Sequence, residues 1–300
     1  MLKNKDIIKS MVRAAKKFGS LKSNRLLFSK LGENLRKLGI DDLYIILSYD
    51  CDTPLDSAAS VIIKDYLASH GIPAVFAVPG VVIEKNKKTY KSIYDQGFEF
   101  INHGYLEHAA YDHIVDSYYS VTWYHKMAED DVRNDIIKGH NTLWQTLGCA
   151  SSGFRAPHFG YFQDPAQLEI IYSEINKLNY KFASTTMPSM AIKNGYVYKT
   201  AYGLYEFPVT GTYDVPSVIL DSWQFFAAPE RKYTENDYKI EFKKLLKFYS
   251  DNKLPGILNL YADPSHIVDS NTYFDCIEYA LQKGAVFITY LDMLNKIKNG

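Results

Sequence analysis

Four places in the sequence bring together residue types that can do acid–base or metal chemistry. Asp50 and Asp52 flank Cys51. His103 and His108 stand five residues apart. Arg155 is followed by Pro157 and His158, and Asp263 precedes His266. Two acids one residue apart share a small volume, and their like charges oppose ionisation unless a cation lies nearby. One carboxylate with two imidazoles makes a three-ligand set that leaves positions open for water, the usual form of a catalytic metal site. Each residue alone has a plainer use: an Asp after a strand commonly caps a turn or helix, and a lone His is commonly a satisfied polar group. The chemical reading rests on their coincidence.

Whether they converge depends on the elements that carry them. LYIILSY (43–49), IPAVFAV (72–78), FEFIN (98–102), FRA (154–156), YKFAS (180–184), YEFPV (205–209), SVIL (217–220), GILNLY (256–261) and AVFITY (285–290) read as short apolar strands. Helices are expected over 56–70, 87–96, 126–147, 165–178, 234–251, 272–283 and 290–298. In the longest, Val132, Ile136, His140, Leu143 and Leu147 form one stripe stopped by Gly148. Apolar strands alternating with helices imply a parallel sheet covered on both faces, and the number of units suits a barrel. Reactive groups in such folds sit just past the carboxyl ends of the strands, where all four places lie.

Composition narrows the function classes. The 300 residues hold 34 Lys+Arg and 34 Asp+Glu, a net charge of zero. A nucleic-acid-binding domain would normally be strongly basic, so no nucleic-acid partner is expected. The 25 Tyr and 16 Phe supply ample core and argue against disorder. Cys51, Cys149 and Cys276 are odd in number and widely spaced, as in reduced, buried thiols of a cytoplasmic protein. The N-terminus lacks the apolar core of a signal peptide, and the longest apolar runs are too short to span a membrane. Residues 1–40 carry eleven Lys or Arg against Asp6 and Glu33, a net of +9, which leaves −9 on the remainder. Ile7, Ile8, Met11, Ala14, Ala15 and Phe18 recur there at helical spacing. The expected organisation is a basic helical extension over 1–40 and one domain over 41–300. That extension suits either of two places: packed on the body with its lysines in solvent, or in peripheral contact with the anionic inner face of a membrane.

Six segments, in order, resemble the polysaccharide deacetylase family (NodB homology, carbohydrate esterase family 4) over about residues 43–292. They are SYDCDTP (48–54), ASHGIPAVFAVPG (68–80), NHGYLEH (102–108), FRAPHFGYF (154–162), LDSWQFF (220–226) and ALQKGAVFITYLDML (280–294). The resemblance implies a distorted (β/α) barrel and hydrolysis of an N-acetyl group from an amino sugar in a glycan, glycolipid or nucleotide sugar. It also implies a divalent metal, zinc by default, although iron uses the same ligand set. Asp52, His103 and His108 would hold the metal. Asp50 would be the general base, kept ionised by Arg155 through a charge-assisted bond. Asp263 or His266 would be the acid toward the leaving amine. Tyr105, Pro157, His158, Asp221 and Trp223 would shape the substrate pocket.

Three features depart from the family pattern. Its histidines are four apart, and these are five apart. On a helix the extra residue would turn the second imidazole away, whereas a loop or bulge absorbs it; Asp112 and His113 are the alternatives to His108. The family's last strand-end histidine is replaced in LYADPSH by Asp263, with His266 three residues on. A carboxylic acid there would need a raised pKa to donate a proton at neutral pH. Cys51 reads as a small buried spacer, since its side chain alternates away from its neighbours on an extended segment. Two other readings stand beside the deacetylase: a fold member without catalysis that binds carbohydrate or a protein partner, and a barrel glycosidase. The second is disfavoured because neighbouring acids cannot flank a scissile bond from carboxyls about 5–9.5 Å apart.

Overall fold

The structure is a computed structural model that describes residues 22–227 and 232–299. The helix expected through Ile7, Ile8, Met11, Ala14, Ala15 and Phe18 lies outside the described residues. Leu43–Asp50 (β1) is buried at every position, as a strand covered on both faces must be. It pairs in parallel with Gly256–Ala262 (β10) along Leu43–Tyr49 and with Val75–Val78 (β2) along Ser48–Asp50, while Val286–Phe287 (β11) meets it at Tyr44 and Ile45. Glu99–Asn102 (β3), Gly153–Arg155 (β6), Phe182–Ser184 (β7) and Tyr205–Glu206 (β9) continue the sheet in parallel beyond β2, and Tyr198–Lys199 (β8) adds an antiparallel edge. Ala109–Asp112 (β4) and Ser117–Ser120 (β5) form a separate antiparallel hairpin.

Helices fill the crossovers. They are 22–36 (α1), Pro54–Ser69 (α2), Gly80–Lys85 (α3), Lys87–Asp95 (α4), Glu129–Leu147 (α5), Pro165–Lys177 (α6), Pro188–Asn194 (α7), Glu235–Asn252 (α8), Pro264–Ile267 (α9), Asn271–Gln282 (α10) and Tyr290–Asn299 (α11). The helix boundaries follow local chemistry. Thr53 caps α2 in a reciprocal box with Asp56, so the helix starts at Pro54, two residues after Asp52. Gly148 ends α5 in the left-handed region at φ 72°. α1 buries Phe28, Leu31 and Leu35 in the main core, with Phe28 stacked on Tyr213 at 5.3 Å, and keeps Lys22, Arg25 and Lys30 exposed. Among the described residues, no helix is long and apolar enough to cross a membrane.

The sheet curls as a distorted barrel. Its free edges are joined by irregular chain rather than by a full strand. The Thr210 N–H donates to the Asn259 carbonyl of β10 at 2.9 Å, and the Asn259 amide donates to the carbonyl of Phe207 at 2.8 Å. Two expected strands are reduced here. YEFPV keeps only Tyr205–Glu206, because Pro208 has no N–H for a ladder. SVIL is not a strand; only Ile219 bridges to Gly211, after a turn closed by Thr212 and Val215. AVFITY is likewise cut to Val286–Phe287, since α11 begins at Tyr290.

Candidate active site

β1, β3, β6 and β10 deliver their carboxyl ends to one cleft. Asp50 is the last residue of β1, and Asp52 follows just before the α2 cap. Cys51, between them, turns into the core with its Sγ 3.3 Å from Ser60 Oγ, and burial pushes its thiol far above the ordinary range. It is a spacer and not a ligand.

His103 follows β3 directly. Its Nδ1–H donates to the Arg155 carbonyl at 2.8 Å, which fixes the tautomer and leaves Nε2 facing Asp52 Oδ1 at 3.3 Å. His108 Nδ1 lies 3.5 Å from the same oxygen, and the two imidazoles meet edge to face at 4.4 Å. The five-residue spacing works because 103–108 is a loop. Gly104 takes φ +75°, and a Cβ there would run into Asp135. Asn102 Oδ1 accepts the Gly104 N–H at 2.9 Å. Asp135 Oδ1, from α5, accepts the N–H groups of Tyr105 and Leu106 at 3.1 and 2.8 Å, and its Oδ2 accepts the Tyr124 hydroxyl at 2.6 Å. Asp135→Ala removes these acceptors without touching a ligand. Metal affinity measured by competition with a chelator is expected to fall about 10–100-fold, the usual size of an outer-shell effect.

Asp52, His103 and His108 are a group of ligand atoms within 4.8 Å of one another, and no second such group occurs among the described residues. Asp52 Oδ1 and both nitrogens of His108 are buried without a hydrogen-bond partner. Orphaned buried acceptors on an acid and an imidazole are costly unless something positive sits between them, so the donor set fits a divalent cation. Burial would raise the Asp52 carboxyl, but the neighbouring His103 and His108 overcome it and hold it well below the carboxylate range. Burial and the neighbouring His103 keep His108 below the ordinary histidine value, whereas Asp52 raises His103 against the effect of burial. The alternatives fail on geometry: Asp112 caps the hairpin turn by accepting the Ile114 N–H at 2.7 Å, and His113 is exposed against Tyr111.

Asp50 lies beside this group, 3.9 Å from His103 Nε2. Arg155, fully buried, donates from Nη1 to Asp50 at 3.2–3.3 Å, and from Nη2 to Ser48 Oγ at 2.6 Å and Tyr290 OH at 2.8 Å. Burial pushes the Asp50 carboxyl up to about 6, against the pull of Arg155 and His103.

Across the cleft, Asp263 ends β10. Its Oδ2 accepts the Ser222 hydroxyl at 2.8 Å and lies 3.3 Å from His266 Nδ1. His266 thus reaches back from α9 into the cleft, with Nδ1 turned to Asp263 and Ser222. Burial alone would lower its pKa, but the charges of Asp263, Asp56 and Asp221 raise it. Asp221 accepts the Gln224 N–H and the Tyr261 hydroxyl, both at 2.9 Å, and burial pushes it up to about 7. Trp223 opens a short π-helical turn and lines the cleft 5.7 Å from His266. His158, at φ +53°, also lines it and stacks on Trp123 at 4.3 Å.

Two expected pocket residues are elsewhere. Tyr105 turns outward, its hydroxyl donating to Glu84 at 3.0 Å and its ring under the Lys138 ammonium at 3.5 Å. Pro157 is buried in the turn between Arg155 and His158 and does not line the cleft. Conversely, Asp56, Tyr118, Trp123 and Tyr261 line it without having been singled out. Asp56 was hidden by its role as helix cap, and Tyr118 by a hairpin whose alternation is too short to read.

The sequence model of the polysaccharide deacetylase family matches residues 40–181. No curated protein matches the sequence. Among solved structures, the chain is similar to a protein from Mycobacterium smegmatis assigned as a polysaccharide deacetylase, at 16% identity and TM-score 0.63, covering 86% of this chain and 91% of that one. It is similar to the allantoinase PuuE at 12% identity and TM-score 0.63, covering 85% and 89%. It is also similar to a family 4 carbohydrate esterase pseudoenzyme from Bacillus anthracis at 14% identity and TM-score 0.51, covering 85% and 66%. At these identities the likeness is one of fold.

Proposed function

From the premise that residues 40–181 belong to the polysaccharide deacetylase family, we propose that the protein is a metal-dependent hydrolase that removes an N-acetyl group from an amino sugar. The observation that carries this is the cluster of Asp52, His103 and His108, with its orphaned buried ligand atoms, beside an Asp50 clamped by Arg155. A divalent cation held there, zinc by default, supplies Lewis acidity that polarises a carbonyl and lowers the pKa of water.

The chain's own groups do the rest. Water adds to the amide carbon, the C–N bond breaks, acetate leaves, and the nitrogen departs as an amine after taking a proton. Asp50 accepts the proton from the attacking water, and Arg155 holds that carboxylate ionised and oriented. His266 is the better donor to the leaving nitrogen. Asp263 and Ser222 engage its Nδ1, which leaves Nε2 for the substrate, and the surrounding carboxylates favour its charged form. Asp263 then acts by orienting the imidazole. Trp223 and His158 bound the space around the sugar.

Two measurements test the reading. Protein loaded with zinc should bind close to one ion per chain and release acetate from N-acetylglucosamine oligomers. Metal-free protein that also releases no acetate after reconstitution would favour a binding role without catalysis instead. The pH profile of kcat/KM should be bell-shaped. Its rising limb lies no higher than about 6, because a cation at Asp52 can only lower the Asp50 pKa from that value. Its falling limb lies above the ordinary histidine range, and His266→Ala should abolish that limb.

A further inference from the structure

His266 stands on a helix of only four residues, Pro264–Ile267, too short to hold its own geometry. Its neighbours hold it instead. Ile267 is buried in the main core. At the start of α9, the Asp263 N–H donates to Ser222 Oγ at 2.8 Å. The remaining tie comes from α2. Asp56 is buried, and its Oδ1 accepts both the N–H and the hydroxyl of Ser265 at 3.0 and 2.6 Å. Its Oδ2 accepts the N–H and the hydroxyl of Thr53 at 2.9 and 2.7 Å. Tyr118 of β5 donates its hydroxyl to Ser265 Oγ at 2.7 Å, and its ring meets the His266 imidazole edge-on at 4.5 Å.

A capping box uses a carboxylate to take the N–H of the cap residue, and Oδ2 does this at Thr53. Oδ1 is not needed for that duty, yet it takes two donors, both from the residue next to His266. The same carboxylate also bears on the charge of the ring. Burial disfavours the imidazolium, and Asp263, Asp56 and Asp221 together outweigh it. The other groups packed on the ring add no charge: the Tyr118 hydroxyl, pushed up to about 12 by burial, stays neutral, and Trp223 carries none.

We propose that Asp56 is a positioning residue for the proton donor: it grips Ser265, and with it the turn that presents His266 to the cleft. This rests on the reading above, in which His266 protonates the leaving nitrogen. Asp56→Asn should break the grip. The amide can accept from only one of the two pairs of donors and turns its NH₂ against the other, and it removes a negative charge that favours the imidazolium.

The test titrates the zinc-loaded full chain with ¹⁵N-labelled histidine by NMR, the His266 signal being the one lost in His266→Gln, beside the pH profile of acetate release from N-acetylglucosamine oligomers. In Asp56→Asn the His266 pKa is expected to fall by roughly one pH unit, the lower end of what a neighbouring opposite charge imposes. The falling limb of kcat/KM moves with it, while metal per chain and the rising limb stay as in wild type. A lower melting temperature with both the titration and the falling limb unmoved would make Asp56 a helix cap only and overturn the proposal. Thr53→Ala is the control, because it weakens the cap and leaves Ser265 gripped. A titration displaced as far in Thr53→Ala as in Asp56→Asn also overturns it. Ser265→Ala keeps the Asp56 charge and the cap but removes the shared hydroxyl. Its kcat should fall about tenfold, part of the 10²–10⁴ that a positioned proton donor contributes, and an unchanged kcat overturns the route through Ser265. Acetate release with an unmoved titration overturns this proposal alone. A displaced titration in protein that holds zinc but releases no acetate overturns the deacetylase reading and upholds the grip of Asp56 on the turn.

Discussion

Asp50→Asn is expected to retain its divalent ion and lose turnover by about 10³-fold or more, whereas Asp52→Asn loses both. The two acids are one residue apart, yet their surroundings separate their work. Asp52 Oδ1 lies within 3.5 Å of nitrogens on both histidines and has no hydrogen-bond donor of its own, so an amide in its place removes a ligand and leaves two imidazoles unable to hold the ion. Asp50 instead faces Arg155, whose Nη1 donates to Oδ2 at 3.3 Å and lies 3.2 Å from Oδ1. A carboxylate held in this way can still take up a proton, and an amide cannot do so. General-base contributions of about 10²–10⁴ set the size of the loss. Metal per chain and kcat, measured on the same preparations, separate the roles. Equal loss of metal in both variants would remove Asp50 from the base role.

Arg155→Met is expected to cost about 3–5 kcal/mol of stability, the range for deleting one partner of a buried ion pair. Its guanidinium is fully buried and serves Asp50, Ser48 and Tyr290 at once. Without it, Asp50 is a carboxylate in the core with only His103 to compensate. The pH dependence of this loss has a definite sign. Burial already raises the folded-state pKa of Asp50 from 3.8 to about 6, and losing Arg155, which pulls it down, raises it further. A carboxyl whose folded pKa lies above its unfolded value binds its proton more tightly when folded. Stability therefore declines as pH rises from about 4 through the folded pKa. The variant should approach wild type near pH 4 and fall furthest behind at neutral pH and above. Urea unfolding of metal-free protein at several pH values checks this, and a pH-independent difference would mean that Arg155 acts through packing alone.

Much of this site was legible from sequence because strand ends are legible. Apolar runs at 43–49, 98–102 and 256–261 put Asp50, His103 and Asp263 at the rim of a parallel sheet, and each is there. The spacing of His103 and His108 was harder. Periodicity speaks only about regular elements, and these ligands are brought together by a glycine in the left-handed region and by an acid thirty residues away on α5. His266 illustrates another limit. The sequence leaves open whether it or Asp263 takes the strand-end place, and one turn of α9 folds it back over Asp263. Tyr105 misled because adjacency to His103 does not determine side-chain direction: the turn at Gly104 sends the ring to the outside, toward α3 and α5.

The partners of Arg155 also bear on how the protein comes into being. Asp52, His103 and His108, the candidate ligands, all lie within the first 108 residues, whereas the guanidinium beside Asp50 donates to the hydroxyl of Tyr290 on α11. On a nascent chain, which lengthens from its N-terminus, the ion's ligands emerge long before the arginine can be satisfied. On the reading proposed above, the residues that would hold the ion and the contacts that complete the base would therefore be made at different times. A chain interrupted before α11 would keep Asp52, His103 and His108 but leave Arg155 without the Tyr290 hydroxyl.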